Sequence, residues 1–238
     1  MIYIFYNTEE FILNPKIPIE TKKYPIYSFE NLKKGKFLNR PNRFIAEIEY
    51  KGRKAIAHVH DPGRLKELLI KGAELLFLDS KPNAKTEYYI KAVKKEGEWV
   101  LIDSAQHSKI AMEIFHLIPS LSHLDTSNYK KEVPLGDSRI DFIIDGVPLE
   151  VKGASLVVDN VSLFPDAPTT RGTRHVYEII KHNGMILILV FRKASRWEPF
   201  KERDPKFAQA MSEARNKNIL IIPVQISFDG NTLFYEGE

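Results

Sequence analysis

The chain has 238 residues, 43% hydrophobic and 28% charged, which reads as an ordinary globular protein long enough for one large domain or two small ones. It has no cysteine, which excludes disulfides, a cysteine nucleophile and thiolate zinc sites together. No apolar run approaches the ~18 residues of a membrane span.

The net charge of +4 is unevenly spread. Residues 1–118 carry 20 Lys and Arg against 15 Asp and Glu, and residues 119–238 carry 15 against 16. A basic first half suits a polyanion, and an acidic cluster in the second half suits a metal ion. Met1–Tyr6 lacks the basic flank, apolar stretch and cleavage site of a signal peptide, so a cytoplasmic location is expected.

Residues 1–31 read as an extension of unassigned role, with Pro15, Pro18 and Pro25 interrupting short apolar pieces. They would add an edge strand or lie along the surface. From Phe44 the pattern becomes strand-like. Phe44–Tyr50 alternates, a Lys51-Gly52 turn leads into Arg53–His58, and Asp61-Pro62 predicts the start of a short helix over Pro62–Ile70 that Gly72 stops. Strands are predicted at Ala73–Leu78, Thr86–Val93 and Trp99–Ile102. Five short strands and a helix in this space predict a small OB-like β-barrel.

Beyond Ile102 the rhythm is mixed α/β. A helix is predicted over Ser104–Leu117, strands over Arg139–Asp145 and Val147–Lys152, and a helix over about Thr170–His182. A buried strand Met185–Phe191, a helix Asp204–Asn216 capped by Asp204-Pro205, and a strand Ile219–Ser227 complete the layout.

The most informative segment is the hairpin Ser138–Lys152, turned at Asp145-Gly146. A two-residue loop places Phe142 opposite Leu149, Asp141 opposite Glu150 and Arg139 opposite Lys152. Ile140, Phe142, Leu149 and Val151 then point the other way, into an apolar core. Two opposed carboxylates repel, and a hard cation such as Mg²⁺ would compensate them. Lys152 beside that ion would hold a water or stabilise charge developing on a phosphate. The same face also fits a surface charge ladder with Arg139 and Lys152 as counter-ions. The spacing of Asp141 from Glu150-Val151-Lys152 is that of the PD-(D/E)xK nuclease signature.

On the helix from Thr170, residues Arg171, Arg174, His175 and Glu178 share one face. That face would grip phosphates through Arg and offer His175 for proton transfer; it also fits an exposed helix with ordinary ion pairs. Asp61-Pro62-Gly63-Arg64 is a helix start or, equally, an anion site built from Arg64 and backbone N–H groups. His58 and His60 face one side, where zinc is not expected for want of further ligands. Arg40, Arg43, Arg53 and Lys54 are interleaved with Phe44 and Tyr50, as on OB surfaces that bind nucleic acid. Alternating aromatics also fit a core, and Phe44 is expected to be buried.

Together these residues resemble the sugar fermentation stimulation protein family. The matching elements are Asn42-Arg43-Phe44, His58 with Asp61-Pro62-Gly63-Arg64-Leu65, and Ser138-Arg139-Ile140-Asp141-Phe142. Leu149-Glu150-Val151-Lys152 and Phe164-Pro165-Asp166-Ala167, running into Thr170-Arg171-Gly172 and His175, complete the match. The resemblance implies an N-terminal OB-like β-barrel over 32–103, followed by an α/β PD-(D/E)xK restriction-endonuclease-like domain over 104–238. It further implies DNA binding; DNA is expected as partner ahead of RNA, and, for want of a long apolar run, no membrane partner is expected. The fold invites the inference of a nuclease using Mg²⁺ or Mn²⁺, against the alternative of a non-catalytic DNA-binding regulatory protein.

By position, Asp141 and Glu150 match the metal carboxylates and Lys152 the catalytic lysine. Glu113 and Glu132 are candidates for the further acidic residue that nucleases of this fold often add. Arg43, His58, Arg64, Arg139, Arg171, Arg174 and His175 are the expected nucleic-acid contacts.

Overall fold

A computed structural model describes residues 23–238, so residues 1–22 of the expected extension lie outside the described residues. The remainder of that extension holds a strand, β1 (Tyr24–Ser28). Six strands follow: β2 (Lys33–Asn42), β3 (Ile45–Tyr50), β4 (Arg53–His58), β5 (Glu74–Asp79), β6 (Tyr88–Lys95) and β7 (Glu98–Leu101). Their order is β4-β3-β2-β5-β6-β7, and a parallel pairing of β4 with β6, Ala57 to Tyr88 and His58 to Tyr89, closes five of them into an OB barrel.

Two sequence expectations fail in this domain for local reasons. β2 is absent from the predicted strands because Lys33, Lys34, Gly35, Lys36 and Pro41 hide it, yet it is the strand that joins β3 to β5. A Cβ on Gly35 would lie 2.5 Å from the Glu49 carbonyl oxygen and 2.9 Å from the Phe77 ring, so only glycine lets β2 pass so close. The helix predicted over Pro62–Ile70 does not form; Leu65 takes a φ of 49° and the segment folds as turns. The anion site at a helix N-terminus goes with it.

That turn is instead a latch between the domains. Asp61 Oδ1 accepts from Gly63 N at 2.7 Å, and Leu65 N donates 2.9 Å to Asp166 Oδ2, 101 residues away. Arg40 gathers four carbonyls, donating through Nη1 to Gly63 and Arg64 (2.9 and 2.6 Å) and through Nη2 to Arg43 and Asp61 (2.6 and 3.0 Å). Burial, with Asp166 nearby, pushes the Asp61 carboxyl up to about 7.

The second domain starts with α1 (His107–Ile114), flanked on each side by one turn of 3₁₀ helix. Next come β8 (Tyr129–Leu135), β9 (Ser138–Ile144), β10 (Val147–Ala154), β11 (Leu156–Val158), β12 (Val161–Phe164) and α2 (Thr170–Lys181). The chain ends with β13 (Met185–Val190), β14 (Arg196–Pro199), α3 (Pro205–Asn216), β15 (Leu220–Phe228) and β16 (Thr232–Gly237). The main sheet has the order β1-β16-β15-β13-β10-β9-β8, with β10, β13 and β15 parallel at its centre, so β1 adds to this domain rather than to the barrel. β11, β12 and β14 form a small second sheet.

Asp204 orders both long helices. It caps α3 by accepting from Phe207 N at 3.0 Å, and it accepts from the N–H of Thr169, the N-cap of α2, at 2.7 Å.

The main sheet separates two cores. One continues into the barrel and joins Phe77 and Ile90 to Ile110, Phe142, Leu149, Val151 and Leu187. The other packs α2 and α3 on the opposite face through Val176, Ile179, Ile186, Phe207 and Met211. Ile140, expected beside Phe142, belongs to this second core. A polar hub fixes the seam. Asp103, fully buried, accepts from Lys91 Nζ at 2.5 Å, Tyr89 Oη and Gln106 Nε2 at 2.9 Å, and Ala105 N at 3.2 Å.

Two outcomes follow for stability. Asp103→Ala leaves the buried Lys91 ammonium without its counter-ion and should cost about 3–5 kcal/mol in denaturant unfolding. Asp61 holds its proton more tightly folded than unfolded, so its contribution to stability is lost as the pH rises from about 4 towards 7. Asp61→Asn keeps the acceptor for Gly63 N and escapes that loss. It should raise the melting temperature by about 2–4 °C at pH 8, and the gain should vanish toward pH 4.

Candidate functional site

The site begins with the β9–β10 hairpin. Asp145 and Gly146 both have positive φ, 48° and 85°, the backbone a tight two-residue turn demands. The register is the expected one, with Ile144 opposite Val147, Ile143 opposite Pro148 and Phe142 opposite Leu149. There the ladder stops. Asp141 and Glu150 do not form a cross-strand pair, because Asp141 Oδ2 itself accepts the Val151 N–H at 2.8 Å. From Leu149 to Ala154, β10 pairs in parallel with Met185–Val190 of β13.

Glu150 is therefore carried into the sheet interior and is 2% exposed. Its Oε1 receives the Lys152 ammonium, and His175 Nδ1 lies 2.5 Å from the same oxygen. Arg171 Nε donates to His175 Nε2 at 3.3 Å, so the ring proton sits on Nδ1 and points at Glu150. Burial opposes the Glu150 charge, but Lys152 and His175 outweigh it and hold the carboxyl below its ordinary range. Its Oε2 is buried and, among the described residues, has no hydrogen-bond partner.

Asp141 is in the opposite condition: burial, with the Glu150 charge second, pushes it up to about 6. A desolvated acid beside an orphaned, ionised carboxylate oxygen is a donor set that fits a hard divalent cation. Among the described residues no cluster of three or more acidic or His side chains converges here, so water or substrate would supply the remaining ligands.

The other predicted residues separate. Glu132 lies opposite Asp141 on β8, between the pairs Lys131–Phe142 and Val133–Ile140, and its charge contributes to the raised Asp141. Glu113 is exposed on α1. Arg139 does not face Lys152; it pairs with Pro134 and donates to the Glu132 carbonyl at 2.6 Å. The charge ladder is thus not formed.

His175, expected on a phosphate-facing surface, is 3% exposed and turned onto Glu150. Arg171 and Arg174 stay exposed on α2, and Arg174 Nε donates to Ser138 Oγ at 3.2 Å. Arg53 and Lys54 are paired with Glu87 and Glu47, both at 2.7 Å, and Arg40 is occupied by carbonyls. Arg43 and Arg64 remain exposed on the barrel. Arg64 also lines a cavity of about 400 Å³ between the domains, with Lys66, Glu67, Asp166, Phe200 and Arg203.

His107 was not singled out by any motif. Its ring stacks on Phe191 with centroids 5.2 Å apart and occupies the space a side chain on Gly153 would need, next to Lys152. Burial pushes it down to about 4, so it is a neutral wall beside the lysine. The sequence signal was only the glycine after Glu150-Val151-Lys152.

Comparison with known proteins matches two family models to consecutive parts of the chain. The family model for the sugar fermentation stimulation protein RE domain matches residues 105–232, and that for the SfsA N-terminal OB domain matches residues 38–102. A sugar fermentation stimulation protein homolog of Methanothermobacter thermautotrophicus is 38% identical over 213 residues, covering 85% of this chain and 89% of that protein. One from Saccharolobus solfataricus is 35% identical over 222 residues, covering 90% and 88%.

Among solved structures, Pyrococcus furiosus SfsA in complex with Ca²⁺ superposes with a TM-score of 0.80 at 27% identity, over 90% of this chain and 97% of that one. With both domain models matched in order and relatives aligned over most of their length, the chain belongs to the sugar fermentation stimulation protein family.

Proposed function

We propose that this chain binds DNA and hydrolyses its phosphodiester bonds with Mg²⁺ or Mn²⁺ held by Asp141 and Glu150. The observation that carries the reading is the buried, unpartnered Oε2 of Glu150 beside the desolvated Asp141, a cost that a folded protein tolerates where a ligand completes the site. The related Pyrococcus furiosus protein, whose structure is described as a complex with Ca²⁺, binds a cation of the same oxygen-seeking class. A bound divalent cation would supply charge neutralisation of the phosphate and a more acidic water.

The chain's own residues have distinct parts in this reading. Lys152, held by Glu150 and walled by the neutral His107, keeps an ammonium at the edge of the site, where it would orient a water or stabilise the developing phosphorane charge. His175 fixes the Glu150 rotamer and leaves Oε2 free. Arg171 and Arg174 on α2 would contact phosphates flanking the scissile one. The barrel would supply most of the sequence-independent, salt-sensitive affinity.

Incubating end-labelled DNA with the protein and Mg²⁺, Mn²⁺ or chelator tests the reading. Metal-dependent products are expected from the wild type, with a loss of about 100-fold or more in Asp141→Ala, as a metal site requires. Salt-sensitive binding without products in either protein would replace it with the non-catalytic regulatory reading. The proton on Asp141 competes with the cation. Mn²⁺ affinity measured by calorimetry should therefore fall about tenfold per pH unit below pH 6 and level off above it, while Asp141→Asn should show weak, flat binding.

A further inference from the structure

Phe44 is 52% exposed, contrary to the burial its alternation suggests, because it precedes β3 and sits in the turn after β2 rather than in the ladder. Single exposed apolar side chains are ordinary. This one is displayed by a fixed backbone and is not alone. Its N–H donates to Asn42 Oδ1 and its carbonyl accepts from Val59 N, both at 2.9 Å, while Arg40 holds the neighbouring Arg43 carbonyl.

The Phe44 ring lies nearly parallel to the His58 ring, at 13° with centroids 6.4 Å apart. His58 in turn meets His60 at 5.5 Å and Tyr89 at 5.3 Å, and His60 meets Tyr89 at 6.0 Å. Burial, then the neighbouring His60, holds His58 below its usual range, so at neutral pH it offers a ring face rather than a charge.

The charge around this surface suits a polyanion. Arg43 is exposed beside Phe44, and Arg64 is exposed on the loop that Arg40 ties to the same turn. Asp103, to which the Tyr89 hydroxyl donates at 2.9 Å, is fully buried and paired with Lys91. The surface also leads toward the hydrolytic site. The His60 carbonyl accepts from Ser104 Oγ at 2.6 Å and Ser104 N at 3.0 Å, at the start of the 3₁₀ turn that runs into His107, which in turn abuts Gly153.

We propose that Phe44, His58, His60 and Tyr89 form a stacking platform for unpaired bases, so that the chain engages its DNA as a single strand. A duplex hides its base faces and presents only edges and phosphates, whereas a single strand offers a face to every exposed ring. The barrel thereby selects the strand that reaches Asp141 and Glu150. The inference rests on the reading of the chain as a DNA-binding protein and adds to it which form of DNA is bound.

Fluorescence anisotropy tests it on the full chain in chelator, so that no cleavage intervenes. The probes are a labelled single strand, its duplex, and the same strand with abasic sites. Phe44→Ala, a change at an exposed position, should weaken single-strand binding about 5- to 100-fold and leave the duplex within about twofold. Phe44→Trp should restore it, and the wild type should bind the abasic strand at least as weakly as Phe44→Ala binds the normal one. No loss on the single strand, an equal loss on the duplex, or undiminished abasic binding would each overturn the platform. A wild type that binds neither form of DNA also overturns it. Cleavage and its dependence on Asp141 are read separately, so either idea can fail without the other.

Discussion

Burying the Glu150 carboxylate is the constraint around which the second domain is arranged. An ionised group at 2% exposure needs compensation from its surroundings, and here one oxygen takes both the Lys152 ammonium and the His175 ring. That arrangement requires β10 to be a central strand, with α2 packed across its face at the level of Glu150. It also requires Arg171 to set the histidine tautomer from one turn earlier on the same helix. The position of α2 is fixed by Asp204, which holds the N–H of its N-cap while capping α3. The loop between β14 and α3 thus helps to hold the site without touching it.

A second constraint is the seam between barrel and sheet. The apolar core runs through it without interruption, from Phe77 and Ile90 to Phe142 and Leu187, so the domains share an interior rather than a polar contact surface. Buried polar groups within a continuous core need particular partners, and the Asp103 hub and the Arg40 cluster of carbonyls supply them. Arg192 adds a bond to Glu96 across the same seam at 2.9 Å. The aromatic surface of the barrel is therefore held at a set orientation relative to Lys152, which a flexible linker would not give.

The hairpin was readable from local sequence because both its signals are local: the Asp145-Gly146 turn fixes register, and strand alternation fixes faces. What local reasoning missed is that the ladder ends at Phe142 and Leu149. Beyond that point β10 pairs with β13, some 36 residues later in the chain, and Asp141 uses its own side chain on the Val151 N–H. His175 shows the same limit. Its spacing with Arg171 and Arg174 assigns it to a polar face, yet the presence of Glu150 beneath that face turns it inward. Phe44 errs in the other direction, since periodicity does not register that the strand starts one residue later.

The sequence by itself determined the two-domain order, the register of the hairpin, the helices α2 and α3, and the family, because turns and periodic patterns are encoded within a few residues. Tertiary structure alone decided that Glu150 is buried and ionised, that Arg43 and Arg64 stay exposed while Arg40 is occupied, and that the Phe44 ring faces solvent. It also decided that β2, β8 and β16 are strands despite their charged, Pro-containing or terminal sequences. Those properties depend on desolvation and on partners brought together from distant parts of the chain, and neither is written in any short stretch of residues.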